Sequence, residues 1–170
     1  MAEEIINKVA QSGLVSIDLE QFYPAGIRQS FDLADWLYEG LILREKDFRE
    51  RVKTYDWSQH QNAHIAVFCS ADAIVPLWAF MLVASKLQGV ATTVVQGDLE
   101  KLESLLFRQW MHRHDFSQYQ DKRMIIKGCS IKPVPTDAFV EFVHRAQPYA
   151  RSIMFGEPCS TVPVYKKPKT

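Results

Sequence analysis

Asp56-Trp57-Ser58-Gln59-His60-Gln61 and Asp115-Phe116-Ser117-Gln118-Tyr119-Gln120 stand 59 positions apart and open two stretches, residues 56–98 and 115–157, that match along their length. Eleven of the 43 aligned positions are identical, among them Val75-Pro76 with Val134-Pro135, Ala79-Phe80 with Ala138-Phe139, and Gly97 with Gly156. Composition alone predicts about one match in fifteen. The pair therefore reads as a tandem duplication, the most informative feature of the sequence.

Within each copy, β-branched runs (64–69 and 92–96, then 124–127 and 152–155) flank a helical pattern that Val-Pro opens. Each copy is thus a βαβ unit, and right-handed crossovers point its strands the same way. Working outward, residues 14–19 form a further strand at a sheet edge. Leu33, Trp36, Leu37 and Leu41 mark a helix face with Asp32 as N-cap, and 44–53 continues as a charged helix anchored by Phe48 and Val52. Further helices are expected at 76–87, 99–111 and 135–146. The fold class is α/β, three-layered, with a mainly parallel sheet built from the duplicated βαβ unit. Residues 1–170 read as a single domain, or two small ones, with 166–170 as a flexible tail.

The 170 residues carry 20 Lys plus Arg against 20 Asp plus Glu, and 47% are hydrophobic. A chain of this length buries roughly 70% of its unfolded surface and needs no staple to fold. Zero net charge and the lack of an aromatic-interleaved basic stripe argue against nucleic acid. The acidic start, Met1-Ala2-Glu3-Glu4, is unlike a targeting signal, and the longest apolar run, 73–84, falls short of the roughly 20 residues of a membrane span. A cytoplasmic protein, with no membrane partner, is expected, and a homo-oligomer is left open.

Cys69 and Cys129 end equivalent strands, one residue out of strict register, and each is followed by Ser and a short loop leading to Val-Pro. Cys159, in Gly156-Glu157-Pro158-Cys159-Ser160-Thr161-Val162-Pro163, repeats the Cys-Ser and Val-Pro elements outside the duplication. All three fall beyond the carboxyl ends of strands, where open α/β sheets bind ligands. Taken singly, each is most simply a small buried apolar residue. Taken together, Cys69, Cys129 and Cys159 read as soft thiolate ligands for zinc or an iron-sulfur cluster, with Asp72 and Glu157 as further ligands and Ser70, Ser130 and Ser160 beside the cofactor. Asp98, which precedes a helix, is read as its N-cap.

A thiol-dependent enzyme or persulfide carrier using Cys69 or Cys129 is the rival reading, and a non-catalytic interaction domain the third. No phosphate-binding or dinucleotide fingerprint follows any strand. His112 and His114 read as a solvated helix end, the Ser-Gln-x-Gln segments as turns, and the four tryptophans as core or interface residues.

Through Phe68-Cys69-Ser70-Ala71-Asp72-Ala73-Ile74-Val75-Pro76, Lys127-Gly128-Cys129-Ser130 and the 155–163 segment, the chain resembles an uncharacterised bacterial family, domain of unknown function 2480. The likeness runs from Ile17-Asp18-Leu19-Glu20 through Asp35-Trp36-Leu37 to the tail. Members of that family resemble neighbours of iron-sulfur assembly genes, which implies iron-sulfur assembly proteins as partners.

Overall fold

The computed structural model describes residues 13–128, 131–157 and 160–168. The fold is mixed α/β, with mostly parallel strands. The chain divides into two compact units: unit 1 from Met1–Pro24 and Leu106–Thr170, and unit 2 from Ala25–Leu105.

Unit 2 holds strands β2 (Arg28–Asp32), β3 (His64–Phe68) and β4 (Thr93–Gln96), all parallel in the order β2-β3-β4. Four of the five residues of the central strand, His64 to Val67, are buried, because a parallel strand covered on both faces has no solvent side. Helix α1 (Glu45–Thr54) contributes Phe48 and Val52 to the core, and α2 (Leu77–Leu87) contributes Ala79, Val83 and Leu87 at helical spacing.

Unit 1 holds β1 (Leu14–Ile17), β5 (Arg123–Ile126), β6 (Ser152–Glu157) and β7 (Ser160–Lys166) in the order β1-β5-β6-β7. The first three are parallel; β7 returns antiparallel along β6. Helix α4 (Thr136–Ala146) buries Ala138, Phe142 and Ala146 on the unit 1 core. Helix α3 (Leu99–Arg113) supplies Phe107 and Met111 to it.

Equivalent elements keep the 59-residue spacing: short 3-10 turns at Trp57–His60 and Phe116–Tyr119, β3 and β5, α2 and α4, β4 and β6. A further likeness links Ser16-Ile17-Asp18-Leu19 to Ser30-Phe31-Asp32-Leu33. Each ends a strand with an aspartate whose Oδ1 accepts the amide two residues on, Glu20 N at 3.0 Å and Ala34 N at 2.9 Å.

Three expectations change. The strands form two sheets rather than one, since β1 pairs within the 115–157 stretch while β2 pairs within the 56–98 stretch. The helix expected across Leu33 to Leu41 is only a 3-10 turn, Ala34–Trp36, because Glu39 (φ 50°) and Gly40 (φ 69°) turn the chain left-handed into a Tyr38–Ile42 bridge. β2 and β7 were not read from sequence. Both are edge strands with weak patterns: β2 opens on Arg28, whose charge a two-point pair with Glu103 satisfies at 2.7 and 3.0 Å, and β7 contains Pro163. The 44–53 helix, the Asp98 cap on Lys101 N at 2.9 Å, and the Ser-Gln-x-Gln turns stand as read.

Candidate functional site

Cys69 follows β3, half-buried against the unit 2 core, and its thiol donates to the Ala71 carbonyl at 3.7 Å. The sulfur is thus bonded back to its own loop, at the margin of the core. The Ser70 N–H donates to Asp32 Oδ1 at 3.0 Å, which ties the loop to the end of β2. Burial pushes the Asp32 carboxyl up, but hydrogen bonds from Ser70 and Ala34 outweigh it and hold the group below its usual range. Asp72 is exposed; Glu157 ends β6 exposed and pairs with Ser160 across the hairpin. Cys129, Ser130 and Cys159 lie outside the described residues.

Among the described residues, no group of three or more His, Cys, Asp or Glu could hold a metal ion. That corrects the reading of the chain as a three-cysteine zinc or iron-sulfur protein accessory to cluster assembly; of the ligand set Cys69, Cys129, Cys159, Glu157 and Asp72, Cys129 and Cys159 lie outside the described residues. Of the described members, Cys69 is hydrogen-bonded within its own loop, while Asp72 and Glu157 are exposed. No helix among the described residues is long and apolar enough to cross a membrane.

Each unit instead holds a partly buried His–Tyr pair, with the two residue types exchanged between equivalent positions. In unit 2, Tyr55 Oη meets His60 Nε2 at 3.0 Å, while His60 Nδ1 meets Gln29 Oε1 at 2.6 Å. In unit 1, His114 occupies the place of Tyr55 and Tyr119 that of His60, 2.7 Å apart. Burial lowers both histidine pKa values against the weaker pull of Asp56 and Asp115, and pushes Tyr119 up to about 12. His60 is held between the Tyr55 phenol and the Gln29 amide, and His114 against the Tyr119 phenol; rings such as Phe31 and Trp57 or Phe116 and Phe142 pack around them.

Each unit also has a concavity lined by described residues. Unit 1 has an open cleft of about 670 Å³ beside His114, Asp115, Glu141, His144, Arg145 and Tyr149. Its cations are already spent: Glu141 takes Arg145 at 2.7 Å and Arg108 at 3.2 Å, and these bonds outweigh burial and lower its pKa. Unit 2 has an apolar groove of about 400 Å³ between α2 and β4, lined by Val75, Leu77, Phe80, Met81, Ala84 and Gln96. In unit 1, Phe155 stands where unit 2 has Gln96, and its ring packs edge-on against Phe139 at 6.2 Å, over Gly128. The unit 2 groove lacks such a ring and stays open. Sequence reading missed it, although a signal was there: α2 carries the lining residues Leu77 and Met81 where α4 carries Thr136 and the smaller Val140.

Two α/β units, each with three parallel strands and a partly buried His–Tyr pair, define the class: a two-unit mixed α/β protein. The chain belongs to the family described as protein of unknown function (DUF2480), whose model matches residues 3–167. No curated protein and no solved structure matches the chain.

Proposed function

We propose that the chain is a cytoplasmic protein-binding module, carried on a scaffold that arose by tandem duplication, with the unit 2 groove as its working surface. The carrying observation is the groove with its rim: Leu77 is 72% exposed, Met81 63% and the adjacent Ile74 93%. Large apolar side chains clustered in water around a concave apolar surface mark a docking site. The duplication is supported by the shared 59-residue spacing, the exchanged His–Tyr pair, and Gly97 and Gly156, both at positive φ.

The test places a benzophenone amino acid at Met81 in cells producing the protein. Irradiation should give an adduct with one polypeptide, a second copy included, identified by mass spectrometry and lost when Leu77→Asp is added. The same probe at exposed Lys46 on α1 should give none. No adduct at position 81, or equal capture at 46, would overturn the reading.

A further inference from the structure

The outer edge of β4 runs beside the groove. The Thr92 amide donates to the Ala63 carbonyl at 2.8 Å. Strand alternation then turns Val94 toward β3 and sends the N–H and C=O groups of Thr93 and Val95 outward. Among the described residues, no backbone hydrogen bond reaches them. In unit 1 the equivalent strand, β6, has this edge closed by antiparallel β7, from Ser152 opposite Lys166 to Glu157 opposite Ser160. β7 in turn is guarded as an edge: it contains Pro163, ends on Lys166, and pairs through a register shift at Ile153/Met154. Proteins use such devices to block edge-to-edge pairing. Thr93-Val94-Val95-Gln96 carries no charge, no proline and no bulge.

We infer that two copies of this chain pair through β4, antiparallel about a two-fold axis at Val94, joining two three-stranded sheets into one with the α2 helices side by side. This rests on the groove being a protein-binding surface and names the partner. About that axis, Thr93 of one copy lies opposite Val95 of the other, twice over, and each pair exchanges both backbone hydrogen bonds. An isologous contact sets a surface against itself, so charges near the axis would repel. From Ala73 to Ser85 no side chain is charged. The flanking charges are opposite, Asp72 before α2 and Lys86 near its end, and antiparallel helices bring one toward the other. Ile74, Leu77 and Met81 then meet the neighbouring α2, extending a short strand contact toward the roughly 800 Å² per partner of stable interfaces.

Light scattering on the purified full chain, from low to about 100 micromolar, should give twice the 19.6 kDa chain mass. Met81→Asp and Val95→Pro should each give the single-chain mass with an unchanged far-UV circular dichroism spectrum. Ile131→Asp, on a 98% exposed side chain of unit 1, should remain dimeric. If Val95→Pro unfolds the chain, Met81→Asp at an already exposed site decides. A wild-type chain that stays single throughout, or a dimer indifferent to Met81→Asp, overturns the inference. A single chain whose position 81 still captures another identified protein in cells sinks the self-pairing and leaves the docking surface standing.

Discussion

Gly26 shows how tightly one position can be determined. Its φ is +121°, and a Cβ there would lie 2.5 Å from His64 Nε2, the ring nitrogen that donates to the Ala25 carbonyl at 2.9 Å. His64 is only 7% exposed and sits in β3 paired with β2, so the ring has nowhere to retreat. Gly26→Ala combines backbone strain with overpacking and should destabilise by about 3 kcal/mol. Gly40→Ala is the control: its φ is +69°, nothing lies within 4 Å of the added carbon, and the cost should be about 1 kcal/mol. Denaturant titration of both variants checks this, and equal costs would refute the steric account. None of this was legible in the sequence, because it depends on two residues 38 positions apart meeting across strands.

At the level of elements, the two Asp-x-Ser-Gln turns are near copies. Asp56 Oδ1 accepts the Ser58 amide at 3.0 Å and its hydroxyl at 2.5 Å; Asp115 does the same with Ser117 at 2.9 and 2.6 Å. Each turn feeds a buried strand and positions a His–Tyr partner. Asp56→Ala and Asp115→Ala should therefore lower the thermal midpoint by similar amounts, a few degrees each. A loss confined to one of them would show that the two turns do different structural work. These turns were readable because an aspartate cap and glutamine-rich turn are local chemistry. β2 and β7 were not, because edge strands tolerate Arg28 and Pro163, which erase the apolar alternation that sequence reading depends on. The groove had a readable trace only in the contrast between α2 and α4. The cysteines misled because recurrence of Cys-Ser fixes strand ends without fixing what the sulfurs face; Cys69 faces its own loop.

At the scale of the whole molecule, each unit has its own hydrophobic cluster, and each unit holds an imidazole, buried in His60 and half-buried in His114, hydrogen-bonded to a tyrosine. That arrangement couples stability to protons with a definite sign. His60 and His114 resist protonation when folded, chiefly because burial disfavours the charged ring, whereas unfolded histidines titrate near 6.5. Below that pH the unfolded chain takes up protons that the native chain refuses, so stability is fully present above 6.5 and declines on acidification toward the folded values. Asp32, Asp56 and Asp115, all held below their usual 3.8, add a second loss as pH falls through about 4. Denaturation midpoints should thus fall steadily from neutral pH to about pH 5, and fall further in stronger acid. His60→Asn combined with His114→Asn should be less stable at neutral pH but flatter across the upper window, since asparagine keeps a hydrogen-bonding amide and cannot titrate. A wild-type midpoint that stays level between pH 7 and 5 would mean that both rings take up protons as readily in the folded protein as in the unfolded chain, and would refute burial as the control on their charge.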